Sequence, residues 1–325
     1  MQDKHGRRIH YLRISVTDRC NLRCSYCRTV SEFHPVDHRE ILTYEEILRL
    51  VRIFHDLDFD TFRITGGEPL VRKDVPAFVE SIRAAVPNAD IALTTNGTRF
   101  AEFAESLRTA GLDRVNFSLD SLRPEVFEEI TGEDSLEKVL EGIDTAFREK
   151  FANVKVNMVV LRDTNEEDIL PLVNRYHDRP ITIRFIEFMP YGHNLWEPSK
   201  VVAHERIIGI IKSEHLLRPV PAVGAGPSLD FEVVGARCRV GVISPLTRTF
   251  CEDCNRLRLT ASGQLKPCLF SRGGLDLREL LRMGATDSEI ALRITEEVGS
   301  KPKDMTENKN FPAQIKGRSM QKIGG

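Results

Sequence analysis

The stretch RISVTDRCNLRCSYCRTV, residues 13–30, joins an alternating polar and apolar segment to three closely spaced cysteines. The alternation, which begins at Tyr11 and runs to Thr17, is typical of a β-strand with one apolar face and one polar face. Cys20, Cys24 and Cys27 follow it in the spacing C-x3-C-x2-C. Because an odd number of cysteines cannot pair off into disulfides, this spacing indicates metal binding or redox chemistry at the end of a strand.

This strand is the first of a series that alternates with helices. The strand candidates are YLRISVT (11–17), TFRIT (61–65), IALTT (91–95), RVNFSL (114–119), VKVNMVV (154–160) and ITIRFIEF (181–188). The clearest helical pattern lies between the first two, where Thr43 and Glu46 form a capping box. Further helices are predicted to begin near Asp74, Arg99, Ser135 and Glu166. Strands joined by helical crossovers predict an α/β fold with a parallel sheet, open or closed into a barrel.

The polar face of these strands carries charged side chains. Its members are Arg13, Arg63, Thr94, Ser118, Lys155 and Arg184. Strands buried on both sides usually read as continuous apolar runs, and buried charges need partners. We therefore expect the sheet to enclose a cavity filled by a ligand. An antiparallel sheet with one face in water would explain the alternation equally well.

Length and charge exclude some classes of protein. The 325 residues suffice for one large α/β domain or two smaller ones. A net charge of −2 argues against a nucleic-acid or membrane-surface binder. The N-terminal MQDKHGRRIH lacks the apolar core of a signal peptide, and no run of about 18 apolar residues offers a membrane span. We expect a cytoplasmic protein, whose reducing surroundings favour metal binding over disulfides.

Both the composition and the predicted secondary structure of the chain change near residue 216. Proline and glycine become frequent in RPVPAVGAGPSL (218–229), and the strand–helix alternation stops there. Short strands, FEVV and RVGVI, two helices and a polar tail follow. We expect two regions, 1–215 and 216–325, with the second covering the open side of the sheet.

The first cysteine set has three possible uses. Three thiolates can bind three irons of a four-iron cluster and leave the fourth iron open for a small molecule. A zinc ion would need a fourth ligand, which His34 or His38 could supply. The cysteines could also be inert or redox-active thiols.

A second set, Cys251, Cys254 and Cys268, has the spacing C-x2-C-x13-C. Its spacing alone is more typical of zinc, although the sequence has no histidine after His215 to complete the site. Cys238 is a possible fourth thiolate, but we expect it to be a small buried side chain. The neighbouring Arg256 and Arg258 suggest an anionic ligand, unless they form the solvated face of a strand.

Taken together, these motifs resemble the radical S-adenosylmethionine (SAM) superfamily and, within it, the GTP 3′,8-cyclase family of molybdenum cofactor biosynthesis. The matching segments are VTDRCNLRCSYC, RITGGEPL, LTTNG, NFSLDSL, VKVN, RFIEFM, the second cysteine set and the terminal Gly-Gly. They extend over nearly the whole chain. One departure is Arg28-Thr29, where the family usually has Met-Pro.

The resemblance implies an incomplete (β/α)6 barrel of the TIM type, with the C-terminal region covering its open side. It implies two 4Fe–4S clusters, one on Cys20, Cys24 and Cys27 that binds SAM, and one on Cys251, Cys254 and Cys268 that binds GTP. The positions that match SAM contacts are Tyr26, Gly67, Ser118 and Met189. Those that match GTP contacts are Arg13, Arg63, Thr94, Lys155, Arg256 and Arg258. The Gly324-Gly325 tail would reach into the active site.

The implied reaction is a radical cyclisation of GTP to 3′,8-cyclo-7,8-dihydro-GTP. The resemblance also implies an electron donor and a downstream cyclic pyranopterin monophosphate synthase. We expect a monomer or homodimer that, given its net charge and lack of an apolar span, binds neither nucleic acid nor membrane. Two other hypotheses remain. One is a different radical SAM enzyme with an auxiliary cluster; the other is a zinc-binding scaffold protein in which both cysteine sets are structural.

Overall fold

The central sheet is built from the six strands that the sequence predicts. The computed structural model describes residues 1–27, 35–191, 194, 196–221, 226–271, 273–307 and 320–324. Strands β1 to β6 span Tyr11–Ser15, Thr61–Thr65, Asp90–Thr95, Arg114–Ser118, Lys155–Val160 and Thr182–Glu187. Each pairs in parallel with the next. The antiparallel alternative is therefore wrong for these strands.

Helices cover the outer face of the sheet. Helices α1 to α9 span Tyr44–Asp56, Val75–Ala85, Phe100–Thr109, Pro124–Thr131, Leu136–Arg148, Ile169–Arg175, His204–Lys212, Leu277–Arg282 and Asp287–Gly299. The predicted capping box is present at α1, where Thr43 and Glu46 each accept a hydrogen bond from the other's backbone N–H. Helix α4 is not among the helices that the sequence analysis predicts.

Strands from the C-terminal part of the chain join both edges of this sheet. Strands β7 to β12 span Leu217–Val220, Leu229–Val233, Arg239–Ile243, Arg256–Leu259, Gln264–Lys266 and Leu275–Asp276. The strand order is β12-β11-β10-β1-β2-β3-β4-β5-β6-β9-β8-β7. β10 runs parallel to β1 and β9 runs parallel to β6, while the outer strands pair antiparallel. The sheet is not closed, which agrees with an incomplete barrel.

The hydrophobic core lies between the helices and the apolar face of the sheet. Leu12, Ile64 and Val156 from the strands pack there with Phe54 and Phe100 from the helices. Cys238 belongs to the same core and is 1% exposed. Burial raises the pKa of its thiol to about 11. The apolar side chains of the strands thus pack against the helices on the outer face of the sheet. The polar side chains of the same strands therefore face the inside of the sheet.

None of the helices in the described parts of the chain is both long enough and apolar enough to span a membrane.

Candidate active site

The polar face of the sheet lines a cavity of about 330 Å³. Both cysteine sets and all ten residues predicted to contact SAM or GTP lie on its wall: Cys20, Cys24, Cys27, Cys251, Cys254, Cys268, Tyr26, Gly67, Ser118, Met189, Arg13, Arg63, Thr94, Lys155, Arg256 and Arg258. The residues come from both the N-terminal and the C-terminal parts of the chain. One cavity therefore brings together every one of these candidates.

The first cysteine set lies in the loop that follows β1, at the carboxyl end of the parallel strands. This is the end at which barrels of this type place their active sites. The loop after β2 packs directly against it, since Gly67 N donates to Thr17 O (2.7 Å) and Glu68 N donates to Arg19 O (2.8 Å). A Cβ at Gly67 would collide with the Arg19 carbonyl, so only glycine fits this approach.

A buried carboxylate stands beside the first set. Tyr26 Oη donates to Asp120 Oδ2 at 2.7 Å, and Val159 N donates to Asp120 Oδ1 at 2.8 Å. Burial raises the pKa of Asp120 to about 6. The pKa of the Cys24 thiol is raised by burial first and by Asp120 second. The sequence did not single out Asp120, although it lies within the NFSLDSL motif.

The second cysteine set comes from two turns of the C-terminal region. Cys251 begins a short 3-10 turn, Cys251–Asp253, and Cys254 ends it just before β10. Cys268 follows β11. Burial alone would raise the pKa of Cys254, but Arg256 and Lys301 outweigh it and lower the pKa to about 6. A lowered pKa favours the thiolate, which is the form that binds metal.

Between the two cysteine sets lies a group of five basic residues, here called the cationic belt: Arg258, Arg13, Arg63, Lys155 and Arg184. Arg13 is the register partner of both Arg258 on β10 and Arg63 on β2, so the three side chains share one level of the sheet. Arg63 Nη1 donates to Thr94 Oγ1 at 3.1 Å. Since Arg258 is 9% exposed, the solvated-face alternative is wrong for that residue.

Burial and repulsion between cations lower the pKa of several members of the belt. The pKa of Lys155 is lowered to about 7, chiefly by burial and then by Arg184 and Arg114. Burial is also the main cause that lowers the pKa of Arg184 and of Arg258 to about 10. Crowded cations in a buried wall suit a polyanionic ligand.

Three cavity residues outside the predicted contact set point to a ligand as well. Among the described residues, Asn116 Oδ1, Asn157 Oδ1 and Arg184 Nε are buried and have no hydrogen-bond partner. Buried polar atoms are nearly always paired, so unpaired ones indicate a bound group. Arg184 is one of the predicted polar-face residues, and Asn116 and Asn157 occupy alternating positions of the same face on β4 and β5, so that signal could have identified all three as contacts.

The end of the chain reaches this wall. The Gly324 carbonyl accepts hydrogen bonds from Arg258 Nη1 (2.9 Å) and Arg13 Nη2 (3.4 Å). Gly324 has φ +70°, and a Cβ there would lie 3.0 Å from the Ser15 Cβ and closer still to the Thr65 hydroxyl. Only a residue without a side chain fits this position in the described structure.

The donor sets suit clusters. All six cysteines are free thiols, and within each set the cysteines are close enough to affect one another's pKa. A cluster binds each thiolate through a different iron, so its ligands need not converge on one point. In the described ranges, no three or more His, Cys, Asp or Glu side chains form a group that could hold a metal ion. Arg28, Thr29, His34 and Gly325 lie outside the described residues.

Two family models match the chain. The model of the radical SAM superfamily covers residues 14–175, and the model described as Molybdenum Cofactor Synthesis C covers residues 181–307. The first contains the first cysteine set and the SAM candidates apart from Met189. The second contains the second cysteine set.

The chain also matches curated proteins over its whole length. It is 44% identical to a GTP 3′,8-cyclase of Syntrophomonas wolfei over 328 residues, covering 100% of both chains. It is 43% identical to a GTP 3′,8-cyclase of Thermodesulfovibrio yellowstonii, again over 100% of both chains. The corresponding protein of Geobacter sulfurreducens is 44% identical over 99% of both chains.

Solved structures share the fold at low identity. Streptococcus suis SuiB bound to S-adenosylmethionine superposes with a TM-score of 0.63 and 13% identity, covering 97% of this chain and 78% of that one. SuiB bound to its precursor peptide SuiA gives a TM-score of 0.64 at 12% identity, covering 98% and 77%. At this identity the similarity concerns the fold alone.

Proposed function

Since this chain belongs to the radical SAM superfamily and, within it, to the GTP 3′,8-cyclase family, we propose that its cavity converts GTP to 3′,8-cyclo-7,8-dihydro-GTP, the first step of molybdenum cofactor biosynthesis. The observation that carries the proposal is the single cavity that has a three-cysteine set on either side of a buried cationic belt. Such a cavity can hold a radical source and an anionic nucleotide in contact.

Two 4Fe–4S clusters are the cofactors. Cys20, Cys24 and Cys27 would hold the first, and its open iron would take SAM; Cys251, Cys254 and Cys268 would hold the second beside GTP. When bound, the first cluster and SAM supply the carbon radical that starts the reaction. The protein supplies position, charge and exclusion of water.

The cationic belt would bind the triphosphate. The sequence has no G-x4-G-K-[ST] loop, which in other nucleotide-binding proteins cradles phosphates on backbone amides. Side chains must then bind the phosphates, and Arg13 on β1, Arg63 on β2 and Lys155 on β5 all face the cavity. Thr94, Arg256 and Arg258 complete the predicted contacts, and Arg184 adds a further cation.

The SAM contacts are proposed at the other side of the cavity. Tyr26 lies between two cysteines of the first set, and Gly67 packs on the loop that carries them. Ser118 lies at the end of β4 and Met189 follows β6, so both border the same opening of the sheet. These positions would hold SAM where its methionine end reaches the open iron.

Gly324 would help to order the site. Its carbonyl engages Arg13 and Arg258, two members of the belt, and so brings the end of the chain against the nucleotide side of the cavity. A chain end packed there excludes water, which protects a radical from side reactions. We propose the same role for Gly325.

The proposal also covers the surroundings of the enzyme. We infer a cytoplasmic protein, monomeric or homodimeric, whose residues 1–215 and 216–325 form the two regions of the catalytic unit. The reaction would consume two electrons, one for the cleavage of SAM and one, with a proton, for the reduction of the cyclised nucleotide radical, so an external donor must supply them. A cyclic pyranopterin monophosphate synthase would then take up the product.

The test is a single-turnover assay on protein purified and reconstituted without oxygen. With SAM, a reductant and GTP deuterated at C3′, we expect 5′-deoxyadenosine that carries the deuterium and a product with the mass of GTP. ATP in place of GTP should give neither. Cleavage of SAM without deuterium transfer, at a rate that GTP does not change, would instead favour another radical SAM enzyme.

A further inference from the structure

Two buried cations connect the chain segments around the second cysteine set. The first is Arg7, near the N-terminus, whose side chain is 7% exposed. Its Nη1 donates to Cys251 O and to Lys303 O, both at 2.8 Å, and its Nη2 donates to Pro302 O at 2.6 Å. One guanidinium therefore fixes the backbone of a cysteine against a segment from the far end of the chain.

The second cation is Lys301, which is 2% exposed and lies on the cavity wall. Its Nζ donates to Arg256 O at 2.9 Å and to Pro267 O. Arg256 comes two residues after Cys254, and Pro267 comes immediately before Cys268. The ammonium group thus ties together the backbone on either side of the β10–β11 hairpin, next to two of the three thiols.

Arg7 and Lys301 form one continuous connection, since Arg7 binds the carbonyls of the two residues that follow Lys301. The β10–β11 ladder pairs only Arg258 with Lys266 and Leu259 with Leu265, so it does not reach Cys251 or Cys254. The positions of the three thiols consequently depend on these side-chain contacts as well as on the sheet.

The two cations differ in how their charge is balanced. Arg7 Nε donates to Asp3 Oδ2 at 2.6 Å, so a buried carboxylate neutralises it. Among the described residues Lys301 forms no ion pair with a carboxylate, and its Nζ is held at the Arg256 and Pro267 carbonyls, beside the Cys254 and Cys268 segments. The charge of Lys301 is therefore directed at the cysteine set.

We propose that Arg7 and Lys301 are positioning residues for the second cluster, with Arg7 fixing the Cys251 backbone and Lys301 both fixing the Cys254 and Cys268 segments and supplying a positive charge beside the cluster. This inference rests on the proposed function only in assuming that Cys251, Cys254 and Cys268 hold a cluster. Outer contacts of this kind orient ligands and tune the bound group.

The test compares full-length variants after anaerobic reconstitution. The variants are Lys301→Met, Lys301→Arg, Arg7→Met and, as a matched control, Lys266→Met, which removes another buried lysine that donates to two carbonyls, Ser271 O and Gly273 O. The measurements are the rate of iron loss to a chelator and the midpoint potential of the second cluster, followed by its electron paramagnetic resonance.

We expect Lys301→Met to lose the second cluster about tenfold to a hundredfold faster than wild type and to shift its potential to a more negative value, since a positive charge is removed. Lys301→Arg should restore the potential. Arg7→Met should speed iron loss but change the potential less, because Asp3 balances its charge. Should Lys301→Met match Lys266→Met in both measurements, the inference is wrong.

The iron content separates this inference from the proposed function. Wild-type protein with about eight irons per chain and an unchanged Lys301→Met would overturn the positioning role alone. Wild-type protein with about four irons, or with zinc at Cys251, Cys254 and Cys268, would overturn the second cluster and with it the positioning role. If Lys301→Met does not fold, Lys301→Gln is measured in the same way.

Discussion

Side chains in the cationic belt lie close enough together to change one another's protonation. Lys155 shows this most clearly, because burial, Arg184 and Arg114 bring its pKa to about 7, while Asp230 opposes them. A triphosphate beside Lys155 would reverse these effects by offering a negative charge. The protonation of this one lysine should therefore depend on whether the nucleotide is bound.

The dependence predicts how GTP binding varies with pH. Protonated Lys155 attracts the triphosphate, so GTP binding should raise its pKa, and the protein should take up a proton on binding above pH 7. The Kd for GTP should then rise roughly tenfold between pH 7 and pH 8.5. Calorimetry at several pH values, in buffers of different ionisation enthalpy, measures both the Kd and the proton uptake.

Lys155→Met is the control for this prediction. The variant should bind GTP more weakly at every pH and lose most of the pH dependence, so that only the titration of the terminal phosphate remains. If the variant kept the wild-type slope, Lys155 would not be the titrating group.

At the scale of elements, the ends of helices and strands set the geometry of the site. The capping box at Thr43 fixes the start of α1, the helix that follows the first cysteine loop. Glu46 of the same box also pairs with Arg282 of α8 at 2.8 Å. These contacts lie outside the cavity, so they should affect stability but not chemistry.

Replacing the cap tests this separation. Thr43→Ala removes the hydrogen bond from Glu46 N (3.2 Å) and should lower the free energy of unfolding by about 1 kcal/mol with turnover unchanged. Denaturant unfolding measures it. Ser135→Ala is the matched control. Ser135 is the N-cap of α5 but makes no side-chain capping hydrogen bond, so this substitution should leave the free energy of unfolding unchanged. Equal losses in both variants would contradict the prediction.

The elements also show what the sequence could predict. The six parallel strands followed from alternation and helical crossovers, because few arrangements satisfy both. The pairing of β10 with β1 could not be predicted that way, since their residues are far apart along the chain and Arg256 and Arg258 also fit a solvated strand. Helix α4 was missed because a proline at its first position reads equally as a turn.

The end of the chain is an element with a predicted role of its own. Gly324→Ala places a Cβ against Ser15 and Thr65 at φ +70°, so it should displace the carbonyl from Arg258 and lower turnover at least tenfold. Iron content should stay at the wild-type level. Product formation in a single-turnover assay, together with iron analysis, measures both.

Gly235→Ala is the matched control, because Gly235 has φ +86° but no atom within 4 Å of a Cβ placed there. It should share the backbone strain and retain activity. If both alanine variants lost turnover equally, strain rather than the position of Gly324 would explain the loss.

At the scale of the whole molecule, one sheet surrounds two sites of opposite electrostatic character. Asp120 stands beside the first cysteine set, while Arg256 and Lys301 stand beside the second. Alternation in the strands identified Arg13, Arg63, Thr94, Ser118 and Lys155, and the position beside the second cysteine set pointed to Arg256 and Arg258. The resemblance supplied Tyr26, Gly67 and Met189. Neither could identify Arg7, Lys301 or Asp120, because their positions depend on contacts between distant segments that only the folded chain brings together.

In the enzyme without nucleotide, the buried charges of the cationic belt should lower the free energy of unfolding. Lys155 has an ordinary pKa of 10.5 and a folded-state pKa of about 7, so burying its charge is unfavourable. The penalty is fully present below pH 7, where both states are protonated. It is relieved as the pH rises from about 7 towards 10.5, because only the unfolded state then keeps the proton.

Lys155→Met should therefore be more stable than wild type at pH 7 without nucleotide, by an amount on the order of a few kcal/mol. The difference should shrink as the pH rises and be small near pH 10. Denaturant unfolding across this range measures it, with Lys212→Met at the exposed end of α7 as a control that should show no such trend. A variant less stable than wild type at pH 7 would show that the charge of Lys155 does not destabilise the folded protein.

Adding GTP at about 100 times its Kd should stabilise the wild type by about 2.7 kcal/mol, and the same concentration should stabilise the variant less. The charges that destabilise the folded enzyme without nucleotide would then be the same charges that bind the triphosphate.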